Sequence, residues 1–379
     1  MRINKLVLTL GLIGLALVST SLHAQVESRI AEVSAVRMSG GMSKEFTNQS
    51  FENASVPRLL VKAERLTREQ QRVADQAAQV FQNSSALTMM IVDRGQIIYE
   101  NYRSPATPIT AQFSFSMSKS LVAYVIGGLL CDGKIASLDD PVKKYAPELE
   151  GTVFGNAPIR HLLTMSSGAV DSKHAGNAYK TANSDQWMDQ RSGATTTLDV
   201  IRRYGQTDIA SGREFRYLAN DTQSLGLIIN NLGGFHANFQ RYVWGPTQAS
   251  APGYWLMGRD NLPITAAGFS AVTSDWARMA MFTMDARKNG SACMREFMST
   301  ATTQQIANSN KRLGNAFNGY GYQTWANPQF GDRRSYWWVG YGGQRVGVDA
   351  ERQRVIVVTS SREDYMADVY RLFAELQRY

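Results

Sequence analysis

The hydrophobic pattern of the chain changes from strand-like to helix-like and back again. A helix predicted over residues 65–82 precedes an apolar hairpin formed by residues 87–92 and 96–102, which a short turn joins. Residues 111–317 are mostly helical in pattern, with long polar connections such as residues 174–197. Toward the C-terminal end the pattern predicts strands over residues 336–339, 344–348 and 354–359, followed by a helix over residues 364–377.

Strands near both ends of the chain, with helices between them, predict an α/β protein of the α+β type. We expect one antiparallel sheet with flanking terminal helices and an inserted, mostly helical region. The sheet lobe is assigned to about residues 61–110 and 318–379, and the helical lobe to about residues 111–317. Residues 25–60 lack a clear period and are interpreted as an N-terminal arm. A cleft between the two lobes is the expected place for a site.

The first 24 residues have the order of a secretory signal peptide. Arg2 and Lys5 precede an apolar run over residues 6–18, and small or polar residues lead to a cleavage position after Ala24. A buried N-terminal helix and a retained anchor are the alternatives. The expected location is periplasmic or secreted, and after removal of the signal no later stretch is apolar and long enough to span a membrane.

Composition and charge narrow the function classes. The chain is 44% hydrophobic and 19% charged, which is ordinary for a globular protein. Its formal net charge is +8, but the basic residues are scattered, so nucleic acid is not an expected partner. The sequence does not define an oligomeric state.

The cysteines and histidines are few. Cys131 and Cys293 lie far apart; they can pair in an oxidising compartment, but their apolar helical contexts favour buried free thiols. With four histidines in the chain, a histidine-rich metal site is not expected, and neither a metal nor a cofactor is predicted.

The candidate chemistry begins with Ser116 and Lys119. The two residues open a strongly apolar helix that runs to about Cys131, and a spacing of three places them on one helix face. A serine hydroxyl needs a neighbouring base, and burial favours the free amine of a lysine. The helix N-terminus also offers backbone N–H groups that can stabilise an oxyanion near Ser116. The alternative is that Ser116 caps the helix and Lys119 is solvated.

Ser-x-x-Lys at the head of a buried helix resembles the first motif of penicillin-binding proteins and serine β-lactamases. Residues 138–149 and 159–168 are similar to the class C branch of that family, and this likeness places His161 in a packed structural helix. The resemblance covers about residues 87–379. It implies the β-lactamase/transpeptidase-like fold.

Residues 212–222 resemble the tyrosine-containing segment of 6-aminohexanoate-dimer (nylon oligomer) hydrolases and related esterases. The resemblance implies that the Tyr217 hydroxyl faces the Ser–Lys pair and carries a proton to the leaving group. Whether the lysine or the tyrosine is the base stays open. β-Lactamases usually have Asn two positions after this tyrosine; here Ala219 holds that position, and Asn220 is kept as a pocket candidate. A purely structural aromatic is the alternative.

Residues 337–345 resemble the strand that faces the nucleophile, with Trp338 at the head of the segment that reads Lys-Thr-Gly in β-lactamases. In this register the backbone N–H of Tyr341 is the second oxyanion donor, beside that of Ser116. A register one to two residues later and a hairpin without function are alternatives. The predicted pocket residues here are Trp338, Gly340, Gly342 and Gln344.

The missing lysine of this motif lowers the expectation of an anionic β-lactam or D-Ala substrate. We therefore expect a serine hydrolase that cleaves a small amide or ester through an acyl intermediate on Ser116. A cell-wall D-Ala carboxypeptidase or weak β-lactamase is one alternative. A non-catalytic protein that binds the cell envelope is another.

Overall fold

The computed structural model describes residues 47–170, 196–258, 260–309 and 314–379. The predicted signal peptide, most of the predicted arm and most of the connection at residues 174–197 lie outside these ranges. In the described part of the chain, no helix has both the length and the apolar character needed to cross a bilayer.

Thirteen strands and eleven α-helices are defined within the described residues. The strands are β1 Thr47–Phe51, β2 Val61–Lys62, β3 Ala86–Asp93, β4 Gln96–Tyr102, β5 Gln112–Phe113, β6 Gly253–Met257, β7 Phe269–Ala271, β8 Ile306–Ala307, β9 Phe317–Tyr320, β10 Trp325–Pro328, β11 Tyr336–Gly340, β12 Gln344–Asp349 and β13 Arg354–Ser360. The helices are α1 Arg68–Gln82, α2 Ser118–Cys131, α3 Val153–Asn156, α4 Ile159–Leu163, α5 Thr197–Arg203, α6 Ala219–Asn231, α7 Phe235–Phe239, α8 Gly245–Thr247, α9 Thr273–Asn289, α10 Ala292–Ala301 and α11 Met366–Leu376. Short 3₁₀ turns span Phe115–Met117, Val142–Lys144 and Pro147–Leu149, and a π turn spans Gln240–Trp244.

The main sheet has nine strands in the order β2-β4-β3-β13-β12-β11-β10-β9-β8, and every pair in it except β2 with β4 is antiparallel. The central strands come from the two ends of the described chain. The predicted fold class, an α/β protein of the α+β type, is confirmed.

Helices cover both faces of this sheet. On β3, Met89 and Ile91 pack with the terminal helices α1 and α11, whereas Met90 and Val92 face the core that contains α2 and α9. Successive strand residues point to opposite faces, so a strand covered on both sides is apolar at nearly every position. This explains why β3 is an almost unbroken hydrophobic run.

The prediction of a single sheet was wrong. A second, four-stranded antiparallel sheet has the order β1-β6-β7-β5, and three of its strands lie within residues 111–317, which were expected to be mostly helical. Its first strand comes from the predicted arm, and Thr47–Phe51 pairs with Gly253–Met257. Strand β5 leads directly into the segment that carries Ser116.

The preference for free thiols was also wrong. Cys131 and Cys293 form a disulfide that joins the last residue of α2 to the second residue of α10. Both residues are half-buried.

Candidate active site

Ser116 lies on a tight turn between β5 and α2. The preceding residue, Phe115, has a φ of 45°, a left-handed conformation that is costly for a side chain of this size. The backbone N–H of Ser114 donates to the Phe269 carbonyl of the neighbouring strand at 2.8 Å, which anchors the turn. Ser116 thus stands in a 3₁₀ turn just before α2 begins, and it is half-buried rather than covered. A strained backbone held by its surroundings is a frequent property of functional sites.

Lys119 points into the protein from the first turn of α2. Its side chain is almost completely buried, with 2% of the residue exposed, and its ammonium donates to the Ala266 carbonyl at 2.5 Å. Burial disfavours the charged form and lowers the pKa of Lys119 to about 7, although the nearby Asp221 carboxylate acts in the opposite direction. A lysine in this position can hold or release a proton near neutral pH.

Tyr217 lies beside both residues. The Lys119 nitrogen is 5.4 Å from the centre of its ring, and the ring stacks on Trp325 with centroids 5.4 Å apart. Burial raises the pKa of the Tyr217 phenol, and a hydrogen-bonding interaction with the Ser116 side chain partly offsets that rise. The structure therefore brings the Tyr217 phenol, which is far away in the sequence, to the segment that carries the hydroxyl and the amine.

Strand β11, which belongs to the third predicted motif, also lies close to Ser116. Strand β11 contacts the turn that carries Ser116. A Cβ atom on Gly340 would lie 2.2 Å from the Ser114 carbonyl oxygen, so only glycine permits this approach. Tyr341 follows it, with 73% of the residue exposed and its ring 5.6 Å from that of Phe115.

Two other predicted pocket residues, Trp338 and Gln344, have side chains that contact the protein itself. The Trp338 side chain is fully buried and its indole N–H donates to the Tyr124 hydroxyl at 2.9 Å, so it belongs to the core beneath the site and not to an open wall. The Gln344 amide donates to the carbonyl oxygens of Ser360 at 2.6 Å and Gly342 at 3.3 Å. Its contacts hold the hairpin turn after β11.

Asn220 and Asp221 occupy the first turn of α6, and both are 0% exposed. Asn220 was a pocket candidate, but it is enclosed by the protein. The nitrogen and the oxygen of its side-chain amide have no hydrogen-bond partner among the described residues. The Asp221 carboxylate is likewise without a well-formed hydrogen bond. Burial raises the pKa of Asp221 to about 8, while the hydroxyl and backbone N–H of Ser167 and the charge of Lys119 act to lower it.

The sequence prediction did not assign roles to Asp221, Ala266 or Trp325. Ala266 contributes its backbone carbonyl, and Trp325 contacts a residue that is far away in the sequence. Neither role can be recognised from the neighbouring sequence. Asp221 has no distinctive local signal either, because an acidic residue in the first turn of a helix is common, and only the structure shows that it is fully buried.

No group of three or more His, Cys, Asp or Glu side chains in the described ranges is arranged to hold a metal ion. The chemistry available to the described site is that of a hydroxyl, an amine, a phenol and a buried carboxyl group.

A helix-covered antiparallel sheet, with a Ser-x-x-Lys turn facing an inner strand and a tyrosine, defines the β-lactamase/transpeptidase-like class. The chain belongs to the beta-lactamase family, whose model matches residues 73–377. It is 24% identical over 330 residues to the 6-aminohexanoate-dimer hydrolase of Paenarthrobacter ureafaciens, an alignment that covers 82% of this chain and 79% of that protein. The predicted family resemblance is confirmed.

Solved structures share the fold. A Bacillus anthracis protein assigned as a 6-aminohexanoate-dimer hydrolase superposes with a TM-score of 0.74 at 18% identity, over 89% of this chain and 92% of that one. A penicillin-binding protein homologue from Caulobacter crescentus gives a TM-score of 0.62 at 13% identity, over 83% and 99% of the two chains. Family membership and the similarity to a hydrolase support an enzyme of the hydrolase class, and the solved structures show the shared fold.

Proposed function

We propose that this protein is a serine hydrolase that cleaves a small amide or ester through an acyl intermediate on Ser116. The observation that carries the proposal is the meeting of three groups: Ser116 interacts with the Tyr217 phenol, and the buried amine of Lys119 lies against the same ring. The similarity to a 6-aminohexanoate-dimer hydrolase supports amide substrates in particular.

The first half of the reaction forms the ester. As the Ser116 oxygen attacks the substrate carbonyl carbon, its proton passes to the Lys119–Tyr217 pair and the carbonyl electron pair moves onto oxygen. The backbone N–H groups of Ser116 and Tyr341 are the proposed donors to that oxyanion. Collapse expels the leaving amine or alcohol, which takes the proton from the Tyr217 side of the pair.

The second half removes the acyl group. Water gives a proton to the same pair and attacks the ester carbonyl, after which Ser116 leaves and recovers a proton. The base must be unprotonated at the start of each half. Because the pKa of Lys119 is about 7, the rate should rise with pH through the neutral range.

The substrate class follows from what surrounds the site. Trp338 is buried against Tyr124 where the Lys-Thr-Gly motif would place a cation, so no lysine at that position draws in a carboxylate. The exposed ring of Tyr341 at the edge of the turn adds apolar surface. We propose an uncharged or weakly charged acyl group near Tyr341.

We also propose that the protein acts in the periplasm or outside the cell. The secretory order of residues 1–24 and the Cys131–Cys293 disulfide both support an oxidising compartment.

Covalent labelling tests the function. The protein is incubated separately with a fluorophosphonate and with a fluorescent penicillin, and each adduct is read by intact mass. We expect a single fluorophosphonate adduct, its loss in Ser116→Ala, and little reaction with penicillin. The matched control is Ser114→Ala, which removes a nearby buried hydroxyl; it should still be labelled.

The other outcomes are distinct. Rapid labelling by penicillin would favour cell-wall or β-lactam chemistry in place of the amidase or esterase. Absence of labelling by either probe would favour a binding protein, and full labelling of Ser116→Ala would remove Ser116 from the mechanism.

A further inference from the structure

We propose that Gln323 is a positioning residue that holds the Tyr217 phenol in the place from which it protonates the leaving group. The inference rests on the proposed function, since it assigns a role within the same acyl transfer. The observations that carry it are the hydrogen bonds by which Gln323, in the turn between β9 and β10, joins the helix of Lys119 to the helix that follows Tyr217.

Gln323 has an unusual backbone conformation in a buried place. It lies in the turn formed by residues 321–324, and 2% of the residue is exposed. Its φ of 51° is in the left-handed region, which is costly for a residue with a long side chain. The oxygen and the nitrogen of its side-chain amide are nevertheless both hydrogen-bonded. The contacts of this amide are therefore what the protein gains from a strained residue at this position.

Three helices meet at Gln323. Its side-chain nitrogen donates to the Leu162 carbonyl at 2.7 Å, and its backbone N–H donates to the Leu163 carbonyl at 2.8 Å, at the C-terminal end of α4. Its side-chain oxygen accepts from the Thr222 hydroxyl of α6 at 2.7 Å, and its backbone carbonyl accepts from the Ser120 hydroxyl of α2 at 2.5 Å. Gln323 thus joins α6 to α2 by hydrogen bonds.

The two hydroxyl groups lie next to the proposed acid–base pair. Ser120 directly follows Lys119 in α2, and Thr222 is in the first turn of α6, five residues after Tyr217. Ser120 is 1% exposed and Thr222 is 0% exposed, so water does not replace these hydrogen bonds when they are lost. The connection through Gln323 therefore fixes the position of the phenol relative to the amine.

The same turn also holds the Tyr217 ring. Tyr320 ends β9 and Trp325 begins β10, and the two residues pair across the turn that contains Gln323. The Tyr320 ring meets the Tyr217 ring edge-on, with centroids 6.1 Å apart, and the Trp325 ring stacks on it at 5.4 Å. One turn therefore fixes the phenol both through its ring and through the helix that follows it.

This position matters most for a leaving group that must receive a proton. In the proposed reaction that proton comes from the Tyr217 side of the pair, and a displacement of about 1 Å in such a group can cost about 100-fold in rate. A leaving group that is stable as an anion departs without the proton. Its rate should therefore depend much less on where the phenol lies.

The test compares kcat/KM for phenyl acetate with kcat/KM for p-nitrophenyl acetate, whose leaving group is the more stable anion. The proteins are wild type, Thr222→Val and Thr222→Ser, each with its active sites counted by fluorophosphonate labelling. Valine has the shape of threonine but cannot donate to Gln323, and it leaves the contacts with α4 in place.

In Thr222→Val, kcat/KM for phenyl acetate should fall by roughly 10- to 100-fold and that for p-nitrophenyl acetate by much less. Thr222→Ser keeps the hydroxyl and should restore the wild-type ratio of the two values. A merely structural effect, such as a smaller folded fraction, lowers both values alike and leaves their ratio unchanged.

Two further variants keep the test decisive. Gln323→Asn keeps an amide and a residue that adopts the left-handed conformation, but its side chain is too short to reach Thr222. Its ratio should change in the same direction, and this result decides the question if Thr222→Val does not fold. Thr283→Val is the control, because it removes a fully buried helical hydroxyl that is hydrogen-bonded to Tyr336 at 2.8 Å; its ratio should stay at the wild-type value.

The results separate the two proposals. A wild-type protein that hydrolyses neither ester contradicts the proposed function. A wild-type protein that hydrolyses only p-nitrophenyl acetate, or Thr222→Val and Gln323→Asn variants with the wild-type ratio, overturn only the role of Gln323. A ratio that Thr222→Ser does not restore, or that also changes in Thr283→Val, overturns that role as well.

Discussion

At the scale of single residues, the site depends on polar groups that are kept away from water. Lys119 is a weaker base than an exposed lysine because burial disfavours its ammonium form, and this makes the free amine accessible near neutral pH. The partly buried Tyr217 phenol lies beside it and keeps its proton over the same range, because its pKa is raised. In the proposed mechanism, the pair moves a proton between Ser116 and the leaving group in those molecules whose Lys119 amine is unprotonated.

The spacing of Ser116 and Lys119 made the two residues candidates in the sequence, because residues three apart on a helix share a face. The full burial of Asp221 could not be predicted in the same way, since it depends on how α6 packs on α2. The enclosure of Trp338 likewise depends on which face of β11 the helices cover. These features are set by tertiary packing, which one sequence does not display.

The Tyr217→Phe variant tests the phenol. Removing the hydroxyl should lower kcat for an ester substrate by roughly 10²–10⁴-fold, the usual effect of losing a positioned acid–base group. The ring still stacks on Trp325, so the melting temperature should be nearly unchanged. Tyr99→Phe makes the same change on β4 and is the control. A Tyr217→Phe protein with wild-type kcat would show that the phenol takes no part.

At the scale of elements, patterns of sufficient length were predicted well. Strand β4 was predicted at its observed bounds, and β12 and β13 each end within one residue of the prediction. Helix α1 begins at Arg68, three residues later than predicted, because Thr67 and Gln70 form a capping box there.

The elements that sequence reasoning missed are short. Strands β5 and β7 have two and three residues, too few for any period to appear, and their pairing joins residues that are far apart in the chain. This small sheet nevertheless positions the site, since β5 supplies the turn that places Ser116 at the start of α2.

The disulfide between α2 and α10 is expected to contribute to the stability of the protein. Cys131 and Cys293 tie the C-terminal end of α2 to α10, about 20 Å along the helix from the turn that carries Ser116. Replacing both by serine should cost about 2–4 kcal/mol of stability. The rate of fluorophosphonate labelling at 25 °C should change little.

Thermal unfolding with and without reductant measures this effect. Reductant should lower the melting temperature of the wild type by several degrees and leave that of the double variant unchanged. If the wild-type protein is shown to contain the disulfide and its melting temperature is the same with and without reductant, the prediction is contradicted.

At the scale of the whole molecule, the site is made where separate parts of the chain meet. The turn before α2, the first turn of α6 and strand β11 each contribute one part, and the sheet brings them together from residues more than 200 positions apart. Family membership supports hydrolysis in general. The particular chemistry proposed here depends on this convergence.

The most direct measurement is a crystal structure of the protein after reaction with a slow acylating inhibitor. We expect continuous density from the Ser116 oxygen to the inhibitor carbonyl carbon, with the Lys119 nitrogen and the Tyr217 oxygen both within hydrogen-bonding distance of that Ser116 oxygen. An adduct on a different residue, or a Ser116 oxygen far from both the amine and the phenol, would contradict it.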